Sequence, residues 1–284
     1  MAAALPWPDA RVALATLHGK ADALGPPLAA VGLEVVAVAV DTDALGTFSG
    51  EVERIASPRD TVIAKARLGM AASGLRLGLA SEASFGPDPL LGFVPLHREL
   101  LAFIDDVHGQ VLVLEQSSRD TNWQGASARH VDDVQALLQS SGFPEHALLV
   151  RPNRFVAGMP VAKGLRDRSG LAQAIAAMAA LSDDGLARVE SDMRAHMNPT
   201  RQRQLRALGL RLAERLAVPC PACGAPGFGH ARSEAGLRCA DCSAPTDMLL
   251  AEVHACGCCG HEERRPRPDG RVKADPGACA FCNP

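Results

Sequence analysis

Four Cys-x-x-Cys pairs, Cys220/Cys223, Cys239/Cys242, Cys256/Cys259 and Cys279/Cys282, dictate how the C-terminal part of this chain folds. Each pair lies next to Gly, Pro or Ala, in the manner of a zinc knuckle, a turn that aims two thiolates at one ion. Four knuckles supply two tetrahedral four-cysteine sites. The spacing alone leaves sequential, nested and crossed pairings of the knuckles open. Eight of the nine cysteines fall in these pairs and all nine follow Val218. The N-terminus has neither a basic segment nor a long apolar one, so metal rather than disulfides is expected, in a cytoplasmic protein. A segment this short, with few large apolar side chains, cannot bury enough core to fold alone, so two structural Zn2+ ions must hold it. Cys258 is the leftover thiol. From Pro219 onward seven Lys/Arg face eight Asp/Glu, and the thiolates add negative charge. A stabilising or docking role therefore fits better than nucleic-acid coating, although Arg264, Arg265, Arg267 and Arg271 form a local basic stretch.

The preceding 218 residues read as α/β. Residues 11–16 and 33–40 are apolar runs separated by a helical stretch, the pattern of a βαβ unit. Ser57, Pro58 and Asp60 make a helix start, with Gly74 as the C-cap of a helix ending near Ser73. Residues 75–80 read as a third strand ending in the loop SEASFG. Residues 100–105 and 110–115 flank Val107-His108-Gly109 as a hairpin. Further helices are expected at 131–138, 169–181 and from Pro199 to near Leu216, with strands at 146–150 and 187–190. The expected architecture is a mixed, largely parallel sheet flanked by helices over residues 1–218, followed by a small zinc-ribbon-like module over 219–284. The net charge of −3 and the 21% charged content are those of an ordinary globular protein and argue against a membrane-surface role.

Chemistry-bearing residues gather in three polar stretches. The first, from Asp41 to Arg54, offers Asp41, Asp43, Glu51 and Glu53 with Thr47 and Ser49. Acids at a strand's C-terminal end suit a hard cation such as Mg2+, which takes oxygen ligands and bridges phosphates. The second, Ser81-Glu82-Ala83-Ser84, puts an acid directly after a buried strand. The third packs Asp192, Arg194, His196, Asn198, Thr200 and Arg201 into ten residues at a helix start, a combination suited to an anion. Lys20, after Gly19 at the start of a helix, repeats that theme. The Walker spacing and the Gly-x-Ser-x-Gly elbow are both absent.

The segments ATLHGK, DTDALGTFSGEVER, ASEASFGP, TNW, DMRAHMNPTR and CAFCNP together resemble an uncharacterised bacterial family of unknown function. A second, more distant likeness lies in Ala15-Thr16…Lys20, then Asp60 through Arg67, then Leu79 through Ser84. Their order is similar to that in the inosine/xanthosine triphosphate pyrophosphatases. That resemblance implies Lys20 and Lys65 on phosphate, Asp60 and Glu82 on metal, and His196 or Arg201 near a nucleotide. It departs from that family in a first loop one residue shorter, with His18 where Asn is expected, and in one acid instead of two at Glu82.

These residues point to a metal-dependent phosphohydrolase acting on a nucleotide or related phosphate compound. Asp43, Glu82 and His196 are the candidate catalytic groups. His18, Lys20, Thr47, Lys65, Ser84, Arg194, Asn198 and Arg201 would bind phosphate or substrate, and Asp41 and Asp60 a magnesium ion. The competing reading is a non-enzymatic protein that binds a nucleotide, RNA or another protein and carries a structural zinc ribbon.

Overall fold

The computed structural model describes residue 7 and residues 10–17, 19–42, 45 and 56–284. His18, Asp43, Thr47, Ser49, Glu51, Glu53 and Arg54, named above, lie outside the described residues. Among the described residues no helix is long and apolar enough to cross a membrane. They divide into two compact units, one of residues 10–107 and 111–212, the other of Trp7 and residues 108–110 and 213–284.

The first unit begins with strand β1 (Arg11–Ala15), helix α1 (Ala21–Ala29) and strand β2 (Glu34–Val38), the expected βαβ unit. β1 pairs in parallel with β2 and with β3. Helix α2 (Pro58–Ser73) is stopped at both ends by its own residues. Ser57 Oγ accepts the Asp60 N–H at 3.1 Å and donates to the Asp60 carboxylate at 2.6 Å, while Gly74 takes φ +73° and returns its N–H to Met70 O. Only glycine holds that left-handed turn without strain.

Strand β3 corrects the sequence reading. It runs Leu77–Pro87, so SEASFG is not a loop but the distal half of a long strand. It pairs antiparallel with β4 (Pro95–Asp105) over eleven positions, Leu77↔Asp105 to Pro87↔Pro95. β5 (Gln110–Ser118) completes the order β2-β1-β3-β4-β5. Two pairings in this sheet are parallel, and β3–β4 is antiparallel, so the expectation of a largely parallel sheet fails. The short apolar runs that mark strands fit parallel and antiparallel neighbours alike, and the sequence pattern does not record strand direction.

A second sheet, not expected as such, contains β6 (Gly125–Ala128), β9 (Ala187–Ser191), β7 (Leu148–Pro152) and β8 (Ala162–Leu165) in that order, with antiparallel pairings. Its core joins Leu148, Val150, Val189 and Ala187 to Leu171 and Ile175 of α4 (Arg168–Ala179) and to Leu137 and Leu138 of α3 (Gln135–Ser141). Helix α5 runs Pro199–Leu216. Close approach fixes α2 against the first sheet: a Cβ on Gly78 would lie 2.5 Å from Met70 Sδ, and one on Gly69 would lie 3.1 Å from Ala15 Cβ. Lys65, one turn before Gly69, is thereby held over β3.

In the second unit β10 (Gly229–Ala235), β11 (Leu249–Ala255) and β12 (Glu262–Pro266) form an antiparallel sheet. Ion pairs link its outer strands, Arg232 to Glu262 and Arg264 to Glu234.

Candidate functional site

Two sites emerge, one in each unit. In the second unit the four knuckles pair in crossed order: Cys220, Cys223, Cys256 and Cys259 converge, as do Cys239, Cys242, Cys279 and Cys282. Within each group the ligand atoms lie within 4.8 Å of one another, and the cross-knuckle Sγ···Sγ distances are 3.8 and 3.7 Å in the first and 3.8 and 3.5 Å in the second. A tetrahedron with Zn–S bonds of about 2.3 Å has S···S edges of about 3.8 Å, so both groups fit zinc. Local backbone explains the aim of each knuckle. Cys220 N–H bonds Ala225 O, and Gly224 N–H returns to Cys220 O at 2.8 Å with φ +75°. Gly260 repeats this at Cys256, and Ser243 at Cys239 with φ +59°. The thiols' acidities reflect the crowding. Backbone N–H groups of Cys282 and Phe281 bring the Cys279 thiol down to about 7. Its neighbours Cys242 and Cys239 push Cys282 up to about 12. A dication is what lets four adjacent thiols ionise together.

In the first unit the notable feature is a buried cluster of charge around Lys20, at the C-terminal end of β1. Lys20 Nζ donates to Ser81 O at 2.8 Å. Lys65 of α2 pairs with Glu82 at 2.6 Å, their side chains 8% and 4% exposed. The β3–β4 register sets Glu82 opposite Leu100 and Ala83 opposite Glu99, so Glu82 and Glu99 project from opposite faces of the sheet. Arg201 of α5 grips Glu99 with two 3.0 Å bonds, from Nε and Nη2, and donates Nη1–H to Met193 O at 2.7 Å. His97, two residues along the same face, bonds Glu99 at 2.8 Å and stacks on Phe85 at 4.5 Å. Burial works to raise the Glu99 pKa, but the Arg201 charge and the bonds from His97 and Arg201 hold the carboxyl well below its usual range. Lys20 feels all four neighbouring charges. Burial first, then Arg201, lowers its pKa from 10.5 to about 8, with Lys65 adding to the effect and Glu99 and Glu82 opposing it.

The residues singled out in the sequence thus separate. Lys20 is reached by two ion pairs on opposite faces of the sheet, Lys65 with Glu82 and Arg201 with Glu99. Asp60 is spent in the exposed capping box of α2. Asn198 caps α5, its Oδ1 accepting the Arg201 N–H at 3.0 Å and its Nδ2 bonding Asn122 Oδ1 at 2.8 Å. Arg194 is clasped by the buried carboxylate of Asp192 at 2.7 Å. His196 is exposed, its Cβ 3.1 Å from where a Cβ on Gly19 would stand. Ser84 faces Arg98 across the ladder, and Asp41 is exposed. Glu99 and His97 were missed in the sequence. Their two-residue spacing reads as the solvent face of a strand, and nothing local announces that α5 covers it.

No curated protein and no solved structure matches the chain. A family profile described as a domain of unknown function, DUF6671, matches residues 65–284. That span takes in Lys65, Glu82, Glu99, Arg201 and all eight zinc-knuckle cysteines, and the chain belongs to that family.

Proposed function

We propose that the chain is a metal-dependent phosphohydrolase acting on a nucleotide or related phosphate compound. The observation that carries this reading is the charge imbalance around Lys20. Among the described residues Lys20, Lys65 and Arg201 set three cations against two carboxylates, Glu82 and Glu99, in a place largely withdrawn from water. Buried ion pairs contribute little net stability, and an unmatched buried cation is costly. A phosphate would supply the missing negative charge. Ser81 Oγ, fully buried and without a hydrogen-bond partner among the described residues, is a further donor on the residue whose carbonyl Lys20 bonds.

Lys20 and Lys65 would hold phosphoryl oxygens and offset the charge that develops on them. Glu82 would be released from Lys65 as a phosphate takes over that ammonium, leaving a carboxylate to orient water. Outside the two cysteine groups, no cluster of three or more potential metal ligands occurs among the described residues. Magnesium needs fewer, since it commonly takes one or two carboxylates together with substrate phosphates, and Glu82 fits such a role. Bound there, a divalent cation would polarise a phosphoryl oxygen.

One observation favours a second reading, an anion-binding protein without turnover: Glu82 is closed by Lys65 at 2.6 Å. Release of phosphate and pyrophosphate from a nucleotide panel, with magnesium or manganese and the zinc-loaded chain, separates the two. The expected result is metal-dependent release that falls by roughly two orders of magnitude or more in Glu82→Gln while ligand binding persists. Binding without any release sinks the hydrolase reading.

A further inference from the structure

A cavity of about 600 Å³ opens in the first unit beyond the charged cluster, between the tip of the β3–β4 hairpin and the loop from Asp120 to Gln124. Two aromatic side chains stand on its walls, Phe93 on the hairpin tip and Trp123 on the loop, 88% and 37% exposed. The chain has two tryptophans, eight phenylalanines and no tyrosine, so two rings at one open cavity are a costly use of a scarce resource. Neither wall is loose. Asp88 closes the tip: its N–H bonds Val94 O at 2.7 Å, its Oδ1 accepts the Leu90 N–H at 2.9 Å, and its Oδ2 takes two bonds from Arg119 at 2.9 and 2.7 Å. The loop is pinned by Asn122, whose Nδ2 donates to Ser141 O at 3.0 Å and whose Oδ1 accepts from Asn198.

Between the rings the polar groups have spare capacity. Gln124 Oε1 accepts from Ser140 Oγ at 2.8 Å, which fixes the amide. Its N–H2 group and the Trp123 indole N–H have no partner among the described residues. Asp120 Oδ2 accepts from Gln204 Nε2 at 3.0 Å and lies 3.8 Å from Arg203 Nη2, which leaves its second oxygen as an acceptor at the cavity. An open cavity with an aromatic ring on each wall and donors and an acceptor along it suits a planar heterocycle carrying both kinds of hydrogen-bonding group.

We propose that this cavity binds a nucleobase, stacked on Trp123 and Phe93 with its edge read by Gln124 and Asp120. The placement connects it to the charged cluster. Pro87 lines the cavity and Glu82 lies five residues earlier on the same strand, about 16 Å along it. Thr200 lines it too, next to Arg201. A nucleotide with its base in the cavity would extend its phosphates past Arg201 toward Lys20. The proposal deepens the phosphohydrolase reading by naming the non-phosphate part of the substrate, and rests on that reading only for where the phosphates go.

The test uses nucleosides, which carry no phosphate. Adenosine, guanosine, inosine, cytidine and uridine are titrated calorimetrically into the zinc-loaded full chain, with tryptophan fluorescence followed in parallel. At least one should bind and quench. Trp123→Ala should weaken binding roughly tenfold or more, and Trp123→Phe should largely retain it. Absence of binding by all five, or equal affinity in Trp123→Ala, overturns the proposal. Nucleoside binding without phosphate release from any nucleotide supports it while the hydrolase reading falls. Hydrolysis of inorganic pyrophosphate by a protein that binds no nucleoside does the reverse.

Discussion

Lys20 carries an ammonium ion into a place where burial and two neighbouring cations oppose it. Its pKa, lowered from 10.5 to about 8, is a statement about stability as well as chemistry. Below pH 8 the side chain is charged in the folded and unfolded chain alike, and the folded chain bears the full cost of burying it. Between pH 8 and 10.5 the folded lysine gives up its proton first, the unfolded chain binds more protons, and stability rises with pH. Lys20→Met should therefore raise the unfolding free energy at pH 7, by about 2 kcal/mol once the lost bond to Ser81 O is set against the buried charge. That gain should shrink toward nothing as pH passes 10. Thermal melts of both proteins at several pH values measure it, and a melting temperature that falls on substitution at pH 7 would contradict the account. The same arithmetic gives Lys20 a reason to be retained, since a bound phosphate would favour its charged form.

At the scale of elements, helix α2 lies where it does because two glycines let it approach the sheet. Gly78→Val would drive a side chain onto Met70 Sδ, 2.5 Å away, and toward the Ala66 carbonyl oxygen at 3.2 Å. The methionine can swing aside, but the helix backbone cannot. The expected cost is about 1–3 kcal/mol, read by chemical denaturation. Because Lys65 rides on the same helix, phosphate affinity should fall along with stability. These elements also show what local sequence can and cannot convey. The ends of α2 were legible because Ser57, Asp60 and Gly74 act on their own backbone. The extent of β3 was not: Ser81, Glu82 and Ser84 have the composition of a loop, and only their pairing with β4 makes them strand. Burying Glu82 depends on Lys65, a helix away, and burying Glu99 on Arg201, more than a hundred residues further along the chain.

For the molecule as a whole, the zinc sites give the sharpest prediction. With crossed pairing, each bound ion would bridge two knuckles separated by a third. The zinc-loaded chain should carry two zinc ions by elemental analysis. Cys242→Ser and Cys279→Ser should each lower the metal content at the same site, while Cys223→Ser and Cys256→Ser should both act on the other. The double variant Cys242→Ser/Cys279→Ser should then keep one intact four-cysteine site, whereas Cys242→Ser/Cys256→Ser should damage both. Equal losses in the two double variants would contradict the crossed arrangement.

The sequence by itself determined which eight cysteines could hold zinc, the βαβ start and the caps of α2, because each depends on groups a few residues apart. Thiolate spacing, hydrophobic period and turn chemistry are local physics. The tertiary structure alone decided which knuckles share an ion, which strands run antiparallel, and which of the polar residues meet. Arg194 was paired with Asp192 and Asn198 was drawn into capping α5, while Glu99 and His97 were brought to the cluster around Lys20. The reason is that a charged side chain's role depends on what covers it, and the covering groups come from elements remote in sequence.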